Sequence, residues 1–156
     1  MFDVQRLANF ALSEIEKFSK EHPNETFYTF AIDSSLLCLN SIEHFEKSLK
    51  EFASTTPRYY DSPDQIRKLR ESPSSWAYNG FVCFRTLNDA AKNASESGPF
   101  DENLYEEHCG LDKEEQKESA YAVAMDEVLD ILKKKDAFRV LKKISDFRIL
   151  SVTHPD

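Results

Sequence analysis

Glycine is nearly absent from this chain. Among 156 residues only Gly80, Gly98 and Gly110 occur, roughly 2 % where about 7 % is usual. No two of them stand within eleven residues of each other. The turns that wrap a pyrophosphate or a nucleotide triphosphate need closely spaced glycines, because only a residue without a Cβ lets the backbone approach the phosphates. Neither G-x-G-x-x-G nor G-x-x-x-x-G-K-[ST] can be written anywhere. The familiar dinucleotide and NTP enzymes are therefore excluded.

The rest of the sequence is punctuated by caps and prolines. Residues 3–20 place Val4, Leu7, Phe10, Ala11, Ile15 and Phe18 at helical spacing, with Arg6, Glu14, Lys17 and Lys20 on the other side. That pattern predicts an amphipathic helix, stopped by His22-Pro23 because proline disfavours helical geometry in the residue before it. Residues 26–32, TFYTFAI, suit a strand. Asp33, Ser34 and Ser35 form a turn into a short return strand at 36–39, giving a hairpin. Asn40 with Glu43 three residues on reads as a capping box for a helix to about Ser54, striped by Ile42, Phe45, Leu49 and Phe52. Ser62-Pro63-Asp64-Gln65 opens a short helix with Ile66 and Leu69 inward, and Ser72-Pro73 starts another turn in the same way.

Phe81, Phe84, Leu87 and Ala91 have helical spacing, so 81–91 is expected to be helix. Residues 96–110 read as an irregular connection. Asp112 with Glu115 is a second capping box, taken to open the longest helix, with Tyr121, Ala124, Val128 and Ile131 along one side and Lys133 to Lys135 favouring its C-terminal end. Phe138, Val140 and Leu141 are expected inward on a further turn, and residues 147–152 form a last strand. A helix, a hairpin, a run of helices and a terminal strand make one α+β domain over residues 1–156. The sheet would be small, antiparallel or mixed, with helices on one face. The C-terminal strand must return across the whole chain to pair with the hairpin.

Three pieces carry a family resemblance: Glu25-Thr26-Phe27-Tyr28-Thr29-Phe30-Ala31, then Leu69-Arg70-Glu71-Ser72-Pro73-Ser74-Ser75-Trp76-Ala77-Tyr78, and the ending Leu150-Ser151-Val152-Thr153-His154-Pro155-Asp156. The chain resembles a bacterial family known only as a domain of unknown function, number four-three-zero-three. The resemblance implies an α+β protein of the cell interior and, softly, a role of the kind played by immunity proteins against polymorphic toxins. It implies no catalytic residue.

No motif announces chemistry. His108-Cys109 is the single adjacent His/Cys pair, without the four closely spaced ligands of a structural zinc site, so no metal and no cofactor is expected. Cys38, Cys83 and Cys109 are an odd, scattered set, read as reduced thiols of a cytoplasmic protein. Cys38 occupies an apolar strand position, and carboxylates around Cys109 disfavour a thiolate there. None of His22, His44, His108 and His154 is expected to be catalytic, and the chain is read as a non-enzyme. Trp76 is read as a core plug whose N–H bonds a carbonyl. The competing reading is a small-ligand binder or enzyme built on the aromatic cluster around it.

Charge is the informative feature that is left. The chain has 20 basic and 28 acidic residues, a net −8, and a pI near 5.1. That balance disfavours nucleic acid, whose phosphates need clustered Lys and Arg. The longest apolar run, residues 120–125, is far short of the roughly 20 residues of a membrane helix. The acids are concentrated: Asp101, Glu102, Glu106, Glu107, Asp112, Glu114, Glu115 and Glu118, against Lys113 and Lys117, give −6 in eighteen residues. Such a patch steers a basic partner. Asp101, Glu102, Glu106, Glu107, Glu114 and Glu118, with Tyr59 and Tyr60 from an irregular stretch, are the candidate partner-binding residues. A basic, nuclease-like toxin domain is the partner type that fits.

Overall fold

The computed structural model describes residues 1–56 and 62–150. Tyr59, Tyr60 and the segment 151–156, which holds the end of the expected last strand and of the third motif, lie outside the described residues.

Helix α1 (Val4–Glu21) begins where the Asp3 side chain accepts from the Arg6 N–H, and buries Leu7, Ala8, Ala11, Ile15 and Phe18. Strands β1 (Phe27–Asp33) and β2 (Leu36–Ser41) form the expected antiparallel hairpin. Its turn places Ser34 at a φ of 60°, and the Tyr121 hydroxyl donates to the Ser34 carbonyl at 2.6 Å. Strand β3 (Tyr78–Cys83) joins β2 antiparallel, and β4 (Lys143–Leu150) returns to lie parallel to β1, pairing Thr29 with Arg148 and Ala31 with Leu150. The sheet order is β3-β2-β1-β4. The fold is α+β, and the sheet is mixed.

Helices cover both faces, not one. On the first face Phe27, Phe30, Ile32, Leu37 and Leu39 pack against α1, helix α7 (Ala120–Lys134) and a 3-10 turn at Ala137–Val140. On the second, Tyr28 packs with Phe45 of helix α2 (Ile42–Thr55) and Leu69 of helix α3 (Pro63–Glu71), while Ala31 and Cys38 meet Trp76 after a 3-10 turn at Pro73–Ser75. The reason lies in β1: six of its seven residues are buried, and a strand apolar on both sides needs a layer on each.

Several boundaries differ from expectation. The α2 cap is Ser41, whose oxygen accepts from His44 N–H. Asn40 is buried in β2 instead, donating to Tyr28 and accepting from the Ala77 N–H. Glu43 receives the Thr26 N–H. Residues 81–83 are strand, and helix α4 (Arg85–Asn93) starts only after Phe84. The strand's period is broken by Gly80, at a φ of +83°, where a Cβ would stand 3.1 Å from a Leu36 methyl. There the β2–β3 register shifts, as at a bulge.

Helix α5 (Glu102–Cys109) occupies the supposed connection, capped by Asp101. Only Leu104 and Tyr105 lean on the core, too few apolar positions to show a stripe. Asp112 caps only the one-turn helix α6 (Lys113–Gln116), while Ser119 caps α7. The longest described helix is α1, at 18 residues against 15 for α7. Strand β4 starts at Lys143, earlier than expected, and Val140 is exposed where Phe138 and Leu141 are buried.

Candidate functional site

The acidic stretch forms an exposed shoulder made by α5, α6 and the start of α7. Its local order comes from caps: Asp101 accepts from Leu104 N–H, Asp112 from Glu115 N–H and Ser119 from Ala122 N–H. Asp101 also receives the Met1 ammonium, which with the Leu104 N–H holds its carboxyl below the ordinary carboxylate range. Asp101 is thus partly spent on structure. Glu102 pairs with Arg85 at 2.8 Å, and that guanidinium lies over the Phe100 and Tyr105 rings. Glu114 pairs with Lys117 at 3.1 Å. Glu106, Glu107 and Glu118 are exposed, and no ion pair to them occurs among the described residues. Glu102, Glu106 and Glu107 lie on α5 and Glu114 on α6, while Asp101 is the α5 cap and Glu118 falls in the turn between α6 and α7. Tyr59 and Tyr60 lie outside the described residues.

Trp76 is 4 % exposed and its indole N–H donates to the Arg70 carbonyl at 2.9 Å. The same carbonyl accepts from the Tyr28 hydroxyl at 2.8 Å, and the Arg70 guanidinium sits 4.7 Å from the centre of the Tyr28 ring. The aromatic cluster is therefore a plug that fastens α3 to the sheet. Cys38 is buried, and burial pushes its thiol up to about 12. Cys109 is exposed.

A polar cluster that sequence reasoning missed gathers His22, Glu25, Ser41, His44 and Tyr78. The Glu25 carboxylate accepts from the Tyr78 hydroxyl at 2.5 Å and from Ser41 Oγ at 2.9 Å. His22 Nδ1 lies 3.0 Å and His44 Nε2 3.1 Å from it. The Tyr78 oxygen is 3.3 Å from each imidazole nitrogen, and Phe18 stacks on the His22 ring. Partial burial opposes the charge on Glu25, but bonds from Tyr78, Ser41 and His22, with His44 nearby, outweigh it and hold the carboxyl below its ordinary range. Burial and then Glu25 push the Tyr78 phenol well above its ordinary range. Glu25 opens the first resemblance motif and Tyr78 closes the second. That position, beside histidines at a helix end and a cap, was the available signal.

A family model described as a domain of unknown function, DUF4303, matches residues 7–156. The chain belongs to the DUF4303 family. No curated protein and no solved structure matches it.

The chemistry open to this DUF4303 chain follows from these placements. Around Glu25 the carboxylate accepts from Tyr78 and Ser41 and faces both imidazoles, which ties the approach to β1 to β2 and β3. Among the described residues no group of three His, Cys, Asp or Glu is arranged to hold a metal ion, and no helix is long and apolar enough to cross a membrane. A cavity of about 440 Å³ lies beside β4, with Leu132, Phe138, Phe147 and Ile149 in its lining, at the opposite end of the sheet from β3 and Tyr78.

Proposed function

We propose that this chain is a non-catalytic, cytoplasmic binding protein that engages a basic protein partner through the acidic shoulder of α5 and α6. The supporting observation is the exposure of Glu106, Glu107 and Glu118 without intramolecular ion pairs among the described residues, within a stretch of net charge −6. Carboxylates left unneutralised on an exposed surface raise the local concentration of a cationic surface and orient its approach. The partner that fits is a nuclease-like toxin whose nucleic-acid groove is positive, so the role is that of an immunity protein. Asp112, Glu114 and Glu115 also suit a helix start electrostatically. Glu106 and Glu107 sit in the second half of α5, where the helix dipole gives them no such reason.

The test is recovery of a partner from the source cell with tagged chain at low and at high salt. The reading predicts a stoichiometric basic protein, lost from the Glu106→Lys/Glu107→Lys variant and weakened by salt. Retention of the same partner by the folded variant at both salts would overturn it.

A further inference from the structure

Regular pairing of β1 breaks down at Tyr28, and a small polar cavity lies there. Tyr28 is extra to the pairing with β2, between Phe27–Ser41 and Thr29–Asn40. On the other side, between Phe27–Lys143 and Thr29–Arg148, it stands alone against residues 144–147 of β4. Such a bulge re-aims side chains. Neighbours in a regular strand point to opposite faces, yet Tyr28 and Thr29 both line a cavity of about 130 Å³. Arg70 and Glu71 from the end of α3, with Asp146 and Arg148 of β4, complete its polar lining.

The charges in this lining are not spent on one another. Arg70 is half-buried, whereas every other arginine among the described residues is exposed. Its carbonyl accepts from the Tyr28 hydroxyl and the Trp76 indole, and its guanidinium lies 4.7 Å and 5.5 Å from the ring centres of Tyr28 and Phe45. Arg67, Arg85 and Arg148 have carboxylate partners, but no hydrogen bond or ion pair from the Arg70 guanidinium occurs among the described residues. Glu71, also half-buried, has no ion pair among them either. Asp146 and Arg148 pair at 3.4 Å with side chains 70 % and 62 % exposed, and so exposed a pair contributes little.

A guanidinium fixed on aromatic rings matches a planar carboxylate, which accepts from two of its N–H groups. The lining balances two guanidiniums with two carboxylates, so a simple anion meets repulsion there as well as attraction. A molecule carrying both charges a short distance apart satisfies both signs. Size narrows the class further. A cavity of roughly 150 Å³ holds benzene, a molecule of about six heavy atoms, and an α-amino acid with a small side chain has that bulk.

We propose that this cavity binds a small free α-amino acid, its carboxylate held by Arg70 and Arg148 and its ammonium by Glu71 and Asp146. The Tyr28 hydroxyl is already engaged with the Arg70 carbonyl and Asn40, so Tyr28 serves as a wall. The site uses neither α5 nor α6, and it stands or falls independently of the acidic shoulder.

Titration of the isotope-labelled full chain with L-alanine, followed by amide NMR, tests it. Saturable shifts should appear at Tyr28, Thr29, Arg70 and Arg148. Acetate supplies the carboxylate alone and methylammonium the ammonium alone, so each should bind about tenfold more weakly, having lost one set of charge-assisted bonds. L-Tryptophan, too large for the cavity, should give no shifts there. Glu71→Gln and Arg148→Gln should each weaken alanine binding by about tenfold for the same reason, and Arg70→Gln should abolish it. Arg70→Gln also removes the stacking on Tyr28, so the other two variants carry the test if it does not fold. The absence of saturable shifts with alanine, shifts confined to another part of the chain, acetate binding as tightly as alanine, tryptophan binding at these residues, or unchanged alanine binding in folded Glu71→Gln or Arg148→Gln would each overturn the proposal.

Discussion

Glu25 and Tyr78 stand 53 residues apart in sequence and share a hydrogen bond of 2.5 Å. The bond spans from the residues before β1 to β3, across the intervening β2. Tyr78→Phe removes it while keeping the ring against Phe18, whose centroid is 4.9 Å away. A hydrogen bond to a charged group contributes about 1.5–3 kcal/mol, and partial exposure of Glu25 argues for the lower end. The midpoint of urea unfolding should fall with an unchanged slope. An unmoved midpoint would show that water replaces the phenol without loss.

Acid should destabilise the fold in two stages. His108 has a depressed folded pKa, caused by burial, relative to its ordinary 6.5. The unfolded chain therefore takes up that proton first, and stability declines as pH falls below about 6.5 and on through the folded value. Glu25 and Glu43 are also depressed from 4.5. Their contribution is complete above about 4.5 and is lost as pH falls through their folded values. In chemical denaturation at a series of pH values, His108→Gln should flatten the upper window and Glu25→Gln the lower one. Interchange of these effects would contradict the assignments.

Caps make the division of α6 from α7 measurable. Ser119 caps the 15-residue α7 and its hydroxyl also meets His108 Nδ1 at 2.7 Å. Asp112 caps only the four residues of α6. Removing a cap from a helix in the core costs about 0.5–2 kcal/mol, so Ser119→Ala should lower the melting temperature clearly. Asp112→Ala should lower it less. The reverse order would mean that the helix effectively begins at Asp112.

Legibility followed the strength of local physics. The stripe of Leu7, Ala11, Ile15 and Phe18, the hairpin turn at Ser34 and the Ser62-Pro63 helix start each rest on neighbours in sequence, and each was readable. Phe81 and Phe84 misled because Gly80 breaks the alternation of β3 just where the spacing imitates a helix. The eight residues of α5 hold two apolar side chains directed at the core, so no period shows. The second helical layer was hidden because alternation puts Tyr28 on the same side of β1 as Phe30, and only the register shift between Phe27 and Thr29 turns Tyr28 to the opposite face. The Glu25 cluster depends on contacts across β2, and no spacing within the chain encodes them.

Gly80 should resist replacement. Its φ of +83° lies where side chains are strained, and an added Cβ would press on Leu36 at 3.1 Å. Gly80→Ala should therefore cost more than about 1 kcal/mol, read as a lower urea midpoint. Gly110, with a φ of −82° and its nearest neighbour for a Cβ at 3.6 Å, should accept alanine with little change.

The acidic shoulder makes the sharpest kinetic prediction. Glu102 is best left intact because its pair with Arg85 helps seat α5. Glu106 and Glu107 are exposed and unconstrained by any cap, so reversing both to Lys should leave the melting temperature nearly unchanged, surface substitutions usually falling within about 0.5 kcal/mol. Association with the cognate basic partner should slow strongly at low salt, because two steering charges have changed sign. The difference should shrink as salt rises, since the screening length falls from about 30 Å at 0.01 M to about 8 Å at 0.15 M. A faster dissociation at both salts would instead place the two glutamates in desolvated contact, where losing a pair costs about 2–5 kcal/mol. Stopped-flow association at two salt concentrations distinguishes these outcomes. Equal rates for the folded variant and the unaltered chain would reduce the acidic run to a solvated face.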